Sequence, residues 1–428
     1  MTQTTSQKLT NHEKPSVKVI MAAVAGNTLE FYDFIIYSFF AVYIGKTFFP
    51  TDNEIASLLA SLAVFGVGFF TRPLGGFLIG TFADKAGRKA AMIMTVTLIT
   101  IGTLGLAATP SYEQIGIAAP IIVLIARLIQ GLGLGGEVGP VSAMLVEMAP
   151  ANKRGLYASW QMASQGIAVF LGGIIAYSVF DHLTVEQITA WGWRIPFLFS
   201  LFIIPLAIYI RKTLPETLED RSELSSTALV NILLSDYTKY FILGILIMIA
   251  SAVSVQVSNY MTTYALTILK LSPQQSQIAT VFNGTILFAF SLLAGYLSDK
   301  YNRKILIILP RLLLTLLIVP LFYWLNVGCN IYVMIIVTCL VTMLSAMSGA
   351  ICLVAIPEMM PKNIRSTGVS LVYAISVTVF GGTAQFIITW LIGKLGPIAP
   401  AYYVVLTGII SLIAMYMMPE TKHLDVKK

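Results

Sequence analysis

The amino-acid sequence predicts an all-α membrane protein of twelve transmembrane helices, arranged as two pseudo-symmetric six-helix bundles. Three observations carry this. First, 57% of the 428 residues are hydrophobic and only 11% are charged, with a mean hydropathy of +0.82. Soluble domains carry about 25% charged residues, so lipid must solvate most of this chain. Second, apolar runs of about 20 residues or more recur without strict alternation, which selects helices over barrel strands. Third, three polar segments recur in order in the second half of the chain.

The first span, 17–44, follows a polar tail (1–16) and shows no small-residue cleavage site, so it is expected to stay in the product. The second and third spans, 55–82 and 90–109, flank the turn Asp84-Lys85-Ala86-Gly87-Arg88-Lys89. The fourth, 117–146, is rich in glycine, and Glu147 to Arg154 connect it to the fifth, 155–180. The aromatic run Trp191–Phe197 opens the sixth, 194–211. Residues 212–237 are polar and read as a cytoplasmic linker between an N-terminal bundle (17–211) and a C-terminal bundle (238–418). The remaining spans are 238–268, 275–297, 304–325, 331–356, 366–393 and 399–418, followed by a tail at 419–428. With the N-terminus inside, cytoplasmic segments hold twenty Lys and Arg, whereas the outside loops hold Lys46, Lys270 and Lys394 alone. This bias predicts a multi-pass membrane protein with both termini cytoplasmic.

The net charge of +7 is not organised as a basic stripe with interleaved aromatics, so no nucleic-acid partner is expected. Cys329, Cys339 and Cys352 lack metal or redox spacing and read as small buried thiols. No nucleophile–base set, phosphate loop or metal cluster is visible, and His12, His182 and His423 fall outside the membrane core. Neither an enzyme, a cofactor nor a metal is expected.

The repeat is specific. Gly80-x-x-x-Asp84-Lys85-x-Gly87-Arg88-Lys89 returns as Gly295-x-x-x-Asp299-Lys300-x-Asn302-Arg303-Lys304. Glu147-Met-Ala-Pro150-x-Asn152-x-Arg154 returns as Glu358-Met-Met-Pro361-x-Asn363-x-Arg365, and Pro215-Glu216-Thr217 as Pro419-Glu420-Thr421. Each copy sits at the cytoplasmic end of the matching helix, as duplication of a six-helix unit would leave it. Carboxylates beside short basic turns can pair with cations and helix termini across a gate. Asp84, Arg88, Glu147, Arg154, Asp299, Arg303, Glu358 and Arg365 are the candidate gating residues. The plainer reading of the cations is the positive-inside bias.

Three acids lie well inside spans, Glu30, Asp33 and Glu137. A mid-bilayer charge costs about 2.5–3.5 kcal/mol on insertion scales, so such groups pair, face water or work. Glu30 and Asp33 share one face of the first span with Asn27 and Tyr37, a polar stripe that points at a cavity. Arg127 in the fourth span lies at similar depth and stays charged at any working pH. An acid that alternates between pairing with Arg127 and carrying a proton would tie protonation to the binding of an anion. Asp33, Glu30 and Arg127 are the candidate coupling residues, a fixed packing salt bridge being the alternative for Asp33. Arg72 is either a second cation for an anionic solute or an inner-gate residue. Arg311 is expected to snorkel to the cytoplasm, and Arg194 to anchor the outer surface. Neutral polar residues complete the candidate binding set with Arg127 and Arg72: Asn27, Tyr37, Trp160, Gln161, Gln165, Asn259, Tyr260, Tyr264, Asn283 and Tyr373. Any of them could instead serve as an interhelical hydrogen bond.

Several runs together resemble the metabolite–proton symporters of the major facilitator superfamily. They are Gly26-Asn27…Glu30-Phe31-Tyr32-Asp33-Phe34, Arg72-Pro73-x-Gly75-Gly76, Arg127-x-x-Gln130-Gly131, Ser159-Trp160-Gln161, Trp191-Gly-Trp193-Arg194-Ile-Pro196-Phe197 and Leu214-Pro215-Glu216-Thr217. The resemblance covers nearly the whole chain. Thr47-Phe-Phe-Pro50, with Ala56-Ser57-Leu58 and Ala63-Val64-Phe65-Gly66-x-Gly68-Phe69, is most similar to citrate and tricarballylate carriers, and Ser159-Trp160-Gln161-x-Ala163-Ser164-Gln165 points the same way. The resemblance implies a major facilitator fold and proton-coupled import of a small carboxylate by alternating access. The residues themselves leave sodium open as the coupling ion. A zwitterion such as proline or betaine is the alternative substrate, because Glu30 or Glu137 could meet its cationic end. A drug–proton antiporter is a weaker rival, since the fifth span lacks a Gly-Pro pair. The expected partners are the solute and the lipid bilayer, and the expected state is a monomer.

Overall fold

The computed structural model describes residues 17–86, 88–135, 152–201 and 226–422, with Ser142, Leu145, Val146, Ala149, Pro150 and Pro205. Of the charges expected above as gating or intramembrane groups, Glu137 and Glu147 lie outside the described residues, and Asp84 and Arg88 are described by their backbone alone. Among the described residues, nine helices are long and apolar enough to cross a membrane, or ten when a bent pair counts as one span. That pair is the first span. It runs as Val17–Phe39, bends by 66°, and continues as Ala41–Phe48. The second span likewise has two segments, Glu54–Phe70 and Arg72–Ala86, and its start is capped by Asn53, whose side chain accepts from Ile55 and Ala56 N–H.

The third, fourth and fifth spans are Arg88–Ala108, Ala118–Gly135 and Arg154–His182. The seventh to tenth are Thr238–Thr267, Pro273–Lys300, Arg303–Gly328 and Ile331–Glu358. Side-chain caps fix their starts: Ser272 with Gln275 forms a capping box ahead of Pro273, and Asn302 and Asn330 accept from Ile305 and Val333 N–H. The eleventh span is interrupted. Lys362–Ser376 passes through a π-helical turn, Val377–Gly381, into Gly382–Leu395. The twelfth is Ala399–Met417. The stretch expected as a linker contains a helix of its own, Ser226–Ser235, whose Leu233 is buried in the core.

Glycines decide which helices touch. Gly166 and Gly284 face each other where the fifth and eighth spans cross, and a Cβ on Gly166 would meet Gly284 O at 2.9 Å. Gly155 and Gly295 repeat the contact further along the same pair, where a Cβ on Gly155 would meet Gly295 O at 2.5 Å. In lipid, close backbone approach of this kind replaces the hydrophobic drive that packs soluble helices. The fourth-span glycines act within the first bundle. Gly131 and Gly135 lie against the backbone of Gly68 and Arg72 in the second span. A second crossing between bundles joins the second and eleventh spans, with Gly66 against Gly382 O and the Thr378 hydroxyl donating to Phe69 O at 2.9 Å.

Candidate functional site

The first span brings its polar stripe inward, and Asn27, Glu30 and Asp33 are all buried. Asp33 is fully engaged. Its Oδ2 accepts from Thr103 Oγ1 and Gln130 Nε2, both at 2.6 Å, and its Oδ1 from Ser200 Oγ at 3.0 Å. Gln130 in turn accepts from Arg127 Nη1 at 2.7 Å. The direct Asp33–Arg127 contact implied by the sequence is therefore replaced by a relay. The two groups make no ion pair among the described residues, and one glutamine amide links them. Arg127 spends the rest of its surface on aromatic faces, with its guanidinium carbon 3.8 Å from the Tyr37 ring centroid. Thr103 and Ser200 carry no signal in the sequence, because hydroxyls in apolar spans are usually bonded to their own helix.

A cavity opens between the two bundles. Its lining includes Arg72, Gln165, Asn259 and Tyr373 of the expected set, along with Ser251 and Gln256. The walls are apolar, built from Phe31, Phe34, Phe69, Met162 and Met248 among others. Arg127 is absent from this lining and Arg72 is present. Arg72 sits at the break between the two second-span segments, where its guanidinium stacks 4.1 Å from the Phe69 centroid and 4.6 Å from that of Phe34. Phe34 also lies 5.7 Å from the Arg127 guanidinium, so a single ring separates the cavity cation from the relay cation. Glu30 and Tyr373 lie within electrostatic reach of Arg72. The π-helical turn of the eleventh span borders the cavity through Val377 and Gly381, and such turns concentrate at functional sites.

The other residues expected to bind solute lie outside this lining and make contacts between helices. Asn27 and Gln161 bond each other across the first and fifth spans. Tyr37 donates to Ser61 O, Trp160 packs edge-on against Phe288, and Tyr260 accepts from Thr389. Tyr264 donates to Pro397 O, and Asn283 accepts from Thr342. Gln385, which no sequence signal marked, joins the first, seventh and eleventh spans beside the cavity. It exchanges bonds with Ser38 and donates to Gln256 Oε1 at 3.0 Å.

At the end of the bundle holding the repeated motifs, Asp299 accepts from Gly155 N–H at 2.7 Å and Leu156 N–H at 2.9 Å. An acid of the second bundle thereby caps a helix of the first. Arg303 pairs with Glu358. Glu420 of the Pro-Glu-Thr repeat accepts from Arg303 and Lys304 N–H, capping the ninth span. Arg365 is buried on the carbonyls of Pro357 and Met360, and Arg154 opens the fifth span.

Two anchor expectations change. Arg311 does not snorkel: it is fully buried and donates to Ala250 O, Ser251 Oγ and Ser254 Oγ. Arg194 is an anchor, but a packed one. It donates to Ala107 and Thr109 carbonyls at the third-span terminus, and Trp193 beside it is fully buried against Phe48 and Phe197.

A family model for the Major Facilitator Superfamily matches residues 23–377. The chain belongs to that superfamily. Major facilitator relatives match it almost end to end. A citrate-proton symporter of Salmonella typhi is 33% identical, the match covering 93% of each chain. The alpha-ketoglutarate permease of Escherichia coli is 31% identical over 97% of each chain. Among solved major facilitator structures, a D-xylose-proton symporter superposes with a TM-score of 0.79 at 19% identity, covering 96% of this chain and 99% of that one. The major facilitator fold follows, and with it a secondary transporter rather than an enzyme.

Proposed function

We propose that this major facilitator protein is a proton-coupled symporter that imports a small di- or tricarboxylate across the bacterial inner membrane by alternating access. The observation that carries the substrate class is Arg72. It brings a permanent positive charge to the wall of the cavity between the bundles, and no described lining residue is an acid. A guanidinium matches a carboxylate with two parallel hydrogen bonds. Gln165, Gln256, Asn259 and Tyr373 would take the solute's remaining oxygens. The relatives named for citrate and alpha-ketoglutarate carriage support the same class.

Asp33 is the proposed proton carrier, with Glu30 as the nearer acid to Arg72. Arg72 and Arg127 flank one ring, Phe34, so an anion in the cavity offsets positive charge felt by both. A proton on the acid then reduces the net charge that the loaded carrier must move through the membrane. Asp299, Arg303, Glu358, Arg365, Arg154 and their counterparts Asp84, Arg88 and Glu147 form the proposed inner gate. Both termini would face the cytoplasm.

The test is uptake by proteoliposomes under an imposed inward proton gradient, with and without sodium, against labelled citrate, 2-oxoglutarate, proline and betaine. Accumulation of a carboxylate without sodium is the expected result. Accumulation of the zwitterions alone would transfer the site to the second reading, which Glu30 beside Arg72 favours.

A further inference from the structure

The second bundle holds a buried cation with no acid to answer it. Between residues 238 and 418 the only acids are Asp299 and Glu358. Both are spent at the inner gate, Asp299 on the fifth-span N-terminus and Glu358 on Arg303. Arg311 is therefore a charge in a helical interior that contains no counter-ion of its own. Burying a guanidinium without a partner is strongly unfavourable, and proteins retain such a group when an anion visits it.

Its surroundings are built to give hydrogen bonds. Arg311 Nη1 donates to Ser254 Oγ at 2.8 Å and Nη2 to Ser251 Oγ at 3.1 Å, while Nε has no partner. Both serines accept from the guanidinium, so both keep their own protons to donate. Cys352, within reach of Ser251 and Ser348, offers only a weakly accepting sulfur. The Ala250 carbonyl is the one strong acceptor bonded there. A cluster with more donors than acceptors and an uncompensated positive charge is complementary to an anion.

Ser251 connects this cluster to the cavity, whose lining it joins beside Gly349 and Leu353 of the tenth span. Its depth matches that of Arg72. Ser251 lies 13 residues from the start of its helix at Thr238, and Arg72 lies 14 from the end of its segment at Ala86. At 1.5 Å per residue both stand about 20 Å from the same face.

We propose that Ser251, backed by Arg311, is a second anion subsite contributed by the C-terminal bundle. It takes the far carboxylate of a solute whose near carboxylate is held by Arg72. The proposal rests on the carboxylate reading above and adds to it a count of charges: the solute carries at least two carboxylates, one per bundle. In this scheme Ser251 touches the solute and Arg311 is a positioning residue, acting through the hydroxyl it polarises. A solute that bridges the bundles also gives them a reason to close together only when it is bound.

The experiment is competition against labelled citrate uptake in proteoliposomes by propane-1,2,3-tricarboxylate, glutarate and butyrate. Arg311→Gln is expected to weaken competition by the tricarboxylate and glutarate about 10- to 100-fold and to leave butyrate unchanged. Arg311→Lys should restore part of the loss, because the charge returns without the fork. Ser251→Ala should move the same ratio in the same direction, and it decides the matter if Arg311→Gln does not fold. Equal losses for all three competitors, or no change in either variant, would overturn the subsite and leave the carboxylate reading standing. Wild-type vesicles that take up no carboxylate would overturn both.

Discussion

Replacing Asp33 by Asn removes a charge while keeping the shape of a hydrogen-bonded acceptor, so it separates proton carriage from packing. The amide oxygen can take over the bonds from Thr103 and Gln130, now at 2.6 Å. The amide nitrogen then faces Ser200, whose hydroxyl also donates to Phe197 O at 2.7 Å and so has a lone pair free to accept. Every polar atom keeps a partner. The loss is the difference between charge-assisted and neutral bonds, about 1 kcal/mol each, partly offset by no longer burying a carboxylate. The variant should therefore fold and insert. Its transport should change sharply. Each proton moved with solute down a gradient of one pH unit supplies about 1.4 kcal/mol, or tenfold accumulation. Asp33→Asn should reduce proton-driven accumulation to equilibration, a ratio near one, while labelled solute still exchanges across the membrane. The assay is uptake and counterflow in the same vesicle preparation. Full accumulation by the variant would refute Asp33 as the carrier, and loss of counterflow in folded protein would return it to a structural role.

Other outcomes follow from the same geometry. Arg72→Gln should raise the carboxylate KM about 10- to 100-fold, by losing a charged fork at the cavity wall, with Arg72→Lys in between; an unchanged KM would exclude Arg72 from the site. Gly284→Leu places side-chain atoms where Gly166 O and the Phe170 backbone already lie. Overpacking there should cost about 1–3 kcal/mol or more and lower the melting temperature in detergent, whereas Gly393→Leu, whose added Cβ would meet nothing within 4 Å, should not. Asp299→Ala removes a cap worth about 0.5–2 kcal/mol from the fifth span. That shifts the gate equilibrium about 2- to 30-fold toward opening, which reagent labelling of a cysteine introduced near Arg154 would report as faster modification.

How much of this was legible depends on the kind of residue. The spans are read from runs of apolar residues, and the described helices begin and end within a few residues of them, as at Arg154–His182 and Ala399–Met417. The breaks were not legible. The 66° bend after Phe39 and the π-helical turn at Val377–Gly381 fall within continuous apolar sequence, and packing rather than composition sets them. Of the residues offered for binding, Arg72, Gln165, Asn259 and Tyr373 line the cavity, whereas Asn27, Gln161, Tyr260, Tyr264 and Asn283 bond between helices. Sequence cannot separate these groups, because an intramembrane amide is equally well satisfied by a neighbouring helix or by a solute.

The sequence by itself determined the solvent, the helical class, the duplication and the presence of uncommon charges at mid-depth. These are properties of one chain segment at a time: a transfer free energy, a count of cations at a helix end, a motif seen twice. The tertiary structure alone decided what those charges face. It put Gln130 between Asp33 and Arg127, turned Arg72 rather than Arg127 toward the cavity, and enclosed Arg311 within the second bundle. The physical reason is that electrostatic partnership depends on the rotation of each helix and on the neighbours it meets. Glycine contacts between helices distant in sequence set both.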